Sequence, residues 1–381
     1  MLLSSVSSST NVVVLVVSPL TIIQQDQMQI LAEHNIKAFR LPFGDESVVS
    51  KDDQQKLCKG EYSIVMCHPE SLLNNTWGKA LLRNEDFTSK VHAVVIDECH
   101  IVEDWGEEFR TSFQHLKTLP SIFSNASFIA LSGSLTKHQI KKLPSILGLH
   151  EPAIVEESPD RCNIFLSKIL KSKQTDVHQI YEEIFRKECD GLKKDQLNYP
   201  VTLMFMPLYY ISQASAYLRF IFGSNDITKS CYAVLYSNQD KCVLNYTINA
   251  LKAASPVIRL ILTSSVAGMG FDPPCVTRII HAKPPASIAQ YLQEIGRAGR
   301  RGQQSHAILY YNKRDLAANT PGIQQDIIKY CSDDTRCLRE KLLEPFGFQK
   351  SDQIANDKCC SICKSKSAAS HLLSAMENVE I

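Results

Sequence analysis

Residues 94–110 read VVIDECHIVEDWGEEFR. The stretch opens with a β-branched run of the kind that favours a strand. It then delivers two adjacent carboxylates, Asp97 and Glu98, followed within a dozen residues by Trp105, Phe109 and Arg110. In open parallel sheets, ligands bind beyond the carboxyl ends of the strands. A carboxylate at such an end can hold a hydrated magnesium ion. Its neighbour can orient or deprotonate an attacking water. The plainer alternative is a solvated acidic turn, and the pair alone does not decide between them.

Outward from this stretch, strand and helix patterns alternate. VVVLVV (12–17) is a continuous apolar run, as expected for a parallel strand covered on both faces. SPLTIIQQDQMQILAEHNI predicts a helix with Ser18 as N-cap and Pro19 at its first position. YSIVMCHPESLL and ASFIALSGSLTKHQIKKL repeat the order of strand, polar turn and helix. SPDRCN (158–163) reads as a turn-rich linker. A helical stretch, VHQIYEEIFRKECDGLKKD, then precedes a second strand set: PVTLMFM, KSCYAVLY, PVIRLILTS, TRIIHA and HAILYYN. From about Thr320 the chain turns helical and cysteine-rich. The alternation predicts an α/β protein with parallel sheets carrying helices on both faces.

The bulk numbers narrow the field. Hydrophobic residues are 44% and charged residues 21% of the chain, ordinary for a globular protein. The formal net charge is +1, so nucleic-acid binding has to come from local basic clusters. The N-terminus lacks the basic region of a signal peptide, because its first charged residue is Asp26. The run at 12–17 is far short of the roughly 20 residues needed to cross a bilayer. These features predict a soluble, intracellular protein without membrane attachment.

The second strand set carries its own candidates. PVIRLILTSSVAGMGFDPP runs a strand into a loop with Gly268, Gly270 and Asp272, where glycine lets backbone approach a phosphate or another chain segment closely. In ASIAQYLQEIGRAGRRG, Ile288, Tyr291, Leu292 and Ile295 mark the buried stripe of a helix. Arg297, Arg300 and Arg301 cluster after it. They either complement the helix dipole or stabilise charge developing on a transferred phosphoryl group.

DECH, SSVAGMGFD and QEIGRAGRRG, in this order, resemble the ATPase motifs of superfamily-two helicases. DECHIVEDWGEEFR narrows the resemblance to the RecQ family of DNA helicases. VVSPLTIIQQDQ, HPESL, ALSGSLT, DRCN and TRIIHAKPPASIAQYLQEIGRAGRRG agree with it, and the likeness runs from about Val12 to Cys363. The resemblance implies two RecA-like parallel-sheet domains followed by a small helical zinc-binding subdomain. It places an ATP-binding domain at 1–156, a helicase C-terminal domain at 157–319, the zinc-binding subdomain at 320–366 and a tail at 367–381.

It also implies roles. Asp97 would hold Mg2+ through water, Glu98 would be the catalytic base, and His100 would couple hydrolysis to DNA binding. Gln293, Arg297 and Arg300 would serve the ATP cleft, with Arg300 as arginine finger and Arg297 its nearest competitor. Gly268, Gly270 and Asp272 would line the same cleft. Trp105, Phe109 and Arg110 would sense single-stranded DNA, since aromatic rings stack on bases of any sequence. Read without the resemblance, Trp105 and Phe109 could equally be core residues, although EDWGEEF is a polar setting. The implied activity is ATP-dependent 3′ to 5′ unwinding of DNA in repair and recombination, acting on single strands and duplex junctions. The nucleus is the implied compartment, with the cytoplasm as the alternative. The rival readings are a non-hydrolysing DNA-binding protein on the same core, or an RNA helicase.

The chain has 13 cysteines. Eight are scattered from Cys58 to Cys275 and read most simply as buried thiols. Cys359, Cys360 and Cys363 form a compact C-C-x-x-C group, with Cys337 upstream at the head of a helical run. Four thiolates suit a closed tetrahedral Zn2+ site; buried or free thiols are the alternative. CLREKLLEPFG resembles the start of the RecQ zinc-binding subdomain, which makes Cys337, Cys359, Cys360 and Cys363 the ligands and Cys331 the substitute. The segment after Cys363 is too short for a further accessory DNA-binding domain.

One departure stands out. No phosphate-cradling G-x-x-x-x-G-K-[ST] pattern occurs in the chain. The nearest string, Trp77-Gly78-Lys79-Ala80, has Leu73 at the first glycine position and Ala80 in place of the hydroxyl. In the family that loop precedes the strand that is VVVLVV here, where MLLSSVSSST stands instead. The adenine-reading glutamine motif is also absent. Either the chain is a fragment of a working helicase, or it is a shortened protein that binds DNA without efficient hydrolysis.

Overall fold

VVVLVV becomes β1 (Val13–Val17), the central strand of a parallel sheet, and the acidic stretch begins as β4 (Val91–Ile96) beside it. The computed structural model describes residues 12–43, 49–101, 111–174, 176–223, 230–236, 239–253, 255–264 and 273–377. The chain divides into two compact units, Met1–Glu157 and Ser158–Ile381.

In the first unit, β2 (Ala38–Arg40), β3 (Ile64–Cys67) and β5 (Ser127–Ala130) complete a sheet of order β2-β3-β1-β4-β5. All its pairings are parallel. Leu15, Val65 and Val94 are fully buried at its centre, each stabilising the fold by roughly 1.5–3 kcal/mol. Register aligns Val17 with Ile96 and Ile96 with Ala130. Ser18, Asp97 and Leu131 therefore leave the sheet side by side at its carboxyl edge.

The first helix begins later than its sequence suggests. It spans Thr21–Glu33 with Leu20 at the N-cap and no side-chain cap. Ser18 cannot cap it, because its backbone N–H extends the β1–β3 ladder to Cys67 O at 3.0 Å and the residue is buried. The string Trp77-Gly78-Lys79 lies in a short helix, Thr76–Leu82. A Cβ on Gly78 would stand 2.2 Å from Ser71 O, so this glycine serves close backbone packing.

The second unit holds a six-stranded parallel sheet of order β6-β11-β10-β7-β9-β8. Its strands are β6 (Ile164–Leu170), β7 (Thr202–Phe205), β8 (Tyr232–Leu235), β9 (Leu260–Thr263), β10 (Arg278–His281) and β11 (Ser305–Tyr311). β7 and β9 are buried along their whole length, as central parallel strands should be. The charged stretch VHQIYEEIFRKECDGLKKD is the helix Val177–Asp195, packed through Ile180, Ile184 and Leu192.

β6 directly follows the expected linker, in a segment whose sequence carries no clear strand pattern. Its apolar run is broken by Lys168, whose side chain is almost wholly buried. That ammonium donates to Cys331 O at 2.6 Å and Asp333 O at 2.8 Å, at the end of the helix Gln325–Ser332. The partners are more than 160 residues away, beyond the reach of local pattern. Among the described residues, no helix is long and apolar enough to cross a membrane.

Candidate functional site

The turn after β4 carries the acidic pair. Asp97 N–H bonds to Val17 O at 2.9 Å, and Cys99 N–H bonds to Leu131 O at 2.9 Å. These bonds clamp the turn to both neighbouring strands. Between them Glu98 adopts φ +50°, the left-handed region, which costs a residue with a Cβ on the order of 1 kcal/mol. Its N–H bonds to Asp97 Oδ1 at 3.0 Å. Burial raises the Asp97 pKa, and that N–H bond partly offsets it.

His100 lies beneath the turn with 7% of its surface exposed. Its Nδ1 is 3.2 Å from Ser132 Oγ and 3.2 Å from Glu98 Oε2. Burial lowers its pKa to about 4, so the ring is neutral at pH 7 and the Glu98 contact is not an ion pair. A carboxylate can only accept, so Nδ1 carries the ring proton whenever Glu98 is ionised. The imidazole thereby ties the carboxylate of β4 to the turn after β5. Ser132 in ALSGSLT completes this link; nothing in its immediate sequence assigns it a partner 32 residues away. Trp105, Phe109 and Arg110 lie outside the described residues.

In the second unit, helix Ile288–Ile295 is capped by Ser287, which accepts from Gln290 N–H at 3.1 Å. Ile288, Tyr291, Leu292 and Ile295 are buried, as their spacing predicts. Gln293 is half-buried, Arg297 is buried with 4% exposure, and Arg300 and Arg301 are exposed. Arg300 Nε reaches back to Gly296 O at 3.4 Å. The loop that carries Arg300 and Arg301 meets the chain at the amino end of β10. Gly299 N–H there meets Val276 O at 2.9 Å, just before β10. Gly268, Gly270 and Asp272 lie outside the described residues.

The carboxyl edge of this sheet holds a cavity of about 310 Å³ lined by Phe205, Ser264, His281, Lys283, Gln290 and Glu294, among others. His281 Nε2 is 2.6 Å from Glu294 Oε2, both side chains are buried, and the imidazole stacks on Phe205 with centroids 4.7 Å apart. The histidine at the end of β10 and the glutamate at the end of the helix are 13 residues apart in sequence, a spacing that carries no local signal.

The four cysteines converge. Cys337 is the N-cap of helix Leu338–Leu343, Cys359 ends the helix Asn356–Cys359, Cys360 is extended, and Cys363 lies on Ser361–Glu377. All four are buried and their sulfurs lie within 4.8 Å of one another. Cys337 Sγ is 3.6 Å from Cys359 Sγ and 3.9 Å from Cys360 Sγ. A tetrahedral zinc with arms of about 2.3 Å needs sulfur separations of roughly 3.8 Å. The donor set and spacing therefore suit a soft divalent metal. Cys331 is buried outside this cluster, with its thiol pushed up to about 12 by burial. Of the eight scattered thiols only Cys67, Cys99 and Cys189 are buried, while Cys162 and Cys242 are exposed. Their surroundings, set by tertiary packing, correct the uniform expectation of burial.

Two family models match the chain: DEAD/DEAH box helicase over residues 1–143 and helicase conserved C-terminal domain over residues 199–302. Among curated proteins, the ATP-dependent helicase SGS1 of Saccharomyces cerevisiae is 25% identical over 93% of this chain and 24% of its own length. The putative ATP-dependent DNA helicase Q1 of Caenorhabditis briggsae is 27% identical over 93% of this chain and 56% of its own. The RecQ-like DNA helicase BLM of Xenopus laevis is 25% identical over 91% of this chain and 26% of its own. The chain thus spans between about a quarter and just over half of these relatives. Among solved structures, the helicase MrfA bound to DNA and AMPPNP matches with TM-score 0.64 at 17% identity, covering 92% of this chain and 52% of that one. Dbp5 of S. cerevisiae bound to RNA and ADP BeF3 matches with TM-score 0.58 at 14% identity, covering 86% and 77%. Both units carry the RecA-like parallel-sheet fold of these helicases.

Proposed function

We propose that this chain belongs to the RecQ family of helicases, which its relatives represent, and that it is the core of an ATP-dependent DNA helicase that unwinds duplex DNA in the 3′ to 5′ direction. The observation that carries this reading is the clamped turn after β4. There Glu98 sits in a left-handed conformation against a neutral, buried His100. Strain of this kind persists where the surrounding structure over-determines it, and it clusters at functional sites.

In this reading Asp97 holds magnesium through water and Glu98 accepts a proton from the attacking water. His100 and Ser132 relay the state of that turn to the one after β5. Arg300, exposed at its helix end, is the arginine that meets developing phosphoryl charge, with Arg297 as the buried competitor. Gln293, Gly268, Gly270 and Asp272 serve the nucleotide, and Trp105, Phe109 and Arg110 contact single-stranded DNA. Cys337, Cys359, Cys360 and Cys363 hold zinc, which closes the helical segment onto β6. The nucleus is the compartment in which such an activity would serve repair and recombination.

A second reading is favoured by one sequence observation, the absence of G-x-x-x-x-G-K-[ST] from these residues. That loop supplies most phosphate contacts in this class of site, and the second reading is that these residues by themselves bind DNA without efficient turnover. One experiment separates the two. The purified chain is assayed for DNA-stimulated ATP hydrolysis and for unwinding of a duplex with a 3′ single-stranded tail. Turnover that disappears in Glu98→Gln supports the motor. DNA binding with no turnover at any magnesium or ATP level supports the second reading, and preference for an RNA duplex would overturn both.

A further inference from the structure

The DRCN stretch (160–163) lies between the cysteine cluster and the arginine loop of the second unit, and it bonds to both. Arg339 is 1% exposed and follows Cys337 in the helix that the cysteine caps. Its guanidinium donates to Asp160 Oδ1, to Arg161 O at 3.0 Å, to Ile164 O, and to Cys359 O at 3.5 Å. One side chain therefore holds the backbone of a metal-ligand candidate and the turn that enters β6. Cys360 adds a backbone bridge to Leu166 on the same strand.

At the other end of that turn, Asn163 Nδ2 donates to Gly299 O at 2.9 Å and to Gln303 O at 2.7 Å. Asn163 O accepts from Ser305 N–H at 2.8 Å. These contacts enclose the loop that carries Arg300 and Arg301. The fit is close, because Gly299 has φ +66° and a Cβ there would stand 2.3 Å from Asn163 Nδ2. Both links end on backbone carbonyls, so they fix the path of the loop rather than the pose of one side chain.

We propose that Arg339 and Asn163 are positioning residues through which metal occupancy at the cysteine cluster sets the order of the arginine loop, residues 297–303. The proposal rests on the zinc and arginine roles given above. A bound metal fixes the backbone at Cys359 and Cys360. Arg339 transmits that constraint to Asp160, Arg161 and Ile164, and Asn163 passes it to Gly299 and Gln303. Loss of metal frees the first of these points and loosens the last.

The test is amide hydrogen exchange on the full chain, with its metal and after chelation. In the unaltered protein, chelation should speed exchange at 299–305 by at least about tenfold while β7 and β9 stay protected. Asn163→Ala should keep about one zinc per chain, yet show the loop already fast and indifferent to chelation. Arg339→Lys retains a charge for Asp160 but lacks the arms that hold Ile164 O and Cys359 O. It should keep its metal and lose most of the loop's response, and it decides the matter alone if Asn163→Ala does not fold. Faster exchange confined to 337–363 after chelation overturns the proposal. So does loss of protection throughout β7 and β9 at the same rate, which would mean that the metal holds the whole unit without a specific path. Failure to hydrolyse ATP bears on the motor reading alone and leaves this result intact. A protein purified without metal overturns the zinc reading and this proposal together.

Discussion

The turn after β4 and the loop after helix Ile288–Ile295 both present charged side chains, but they are held in opposite ways. The first is fixed by its own strands: two backbone bonds to β1 and the β5 turn, one strained residue and one buried imidazole. The second is fixed from far along the chain, by Asn163 from 136 and 140 residues away. The acidic turn is placed by the sheet it leaves. Arginines on a glycine-rich loop need a scaffold beneath them. The two sites should therefore respond differently to damage.

The largest effect should fall on the remotely supported side. Cys359→Ser should abolish metal binding and lower the unfolding free energy of the second unit by about 4 kcal/mol or more. Urea unfolding with and without chelator checks this, and the chelated parent protein should behave like the variant. If the variant and parent unfold alike with metal present, the scaffold is not metal-built.

Next comes Glu98→Gln, which should leave stability nearly unchanged while cutting any DNA-stimulated ATP hydrolysis by about 10²–10⁴-fold. A variant with parental turnover would remove Glu98 from the role of base. His281→Ala leaves Glu294 Oε2 buried without its 2.6 Å hydrogen-bond partner, and stranding a buried polar group costs about 1–3 kcal/mol. Thermal melting should show it, with His281→Gln recovering part of the loss.

A smaller effect tests the local side through pH. The folded protein holds His100 at a pKa of about 4 against an ordinary 6.5, so the unfolded chain binds the proton more readily. Its contribution is fully present above pH 6.5 and is lost as pH falls through about 4, amounting to at most about 3 kcal/mol. His100→Gln should flatten the stability profile in that window. An unchanged profile would show that the imidazole is not the group that titrates there.

Much of the fold was legible because its parallel strands are apolar runs bounded by turns, and nine of them were readable that way. β2 escaped because three residues, Ala38–Arg40, carry no pattern. β6 escaped because Lys168 interrupts it and finds its partners only in the folded unit. The grouping of Cys359, Cys360 and Cys363 was legible from C-C-x-x-C, whereas the choice of Cys337 over Cys331 rested on the resemblance of CLREKLLEPFG to a zinc-binding subdomain; the four sulfurs do converge. Ser132, Asn163 and Arg339 were not, since a serine that meets a distant imidazole and side chains that hold distant backbone carbonyls have no periodicity or spacing to reveal them.

Position 98 sets folding against chemistry. A backbone at φ +50° is where glycine is most at ease. Glu98→Gly should therefore leave the melting temperature unchanged or slightly raised, even though it also surrenders the contact with His100. The same change would delete the carboxylate. A search that optimised this chain for stability alone would discard that carboxylate, so any engineering that sets out to test the proposed base has to hold position 98 fixed.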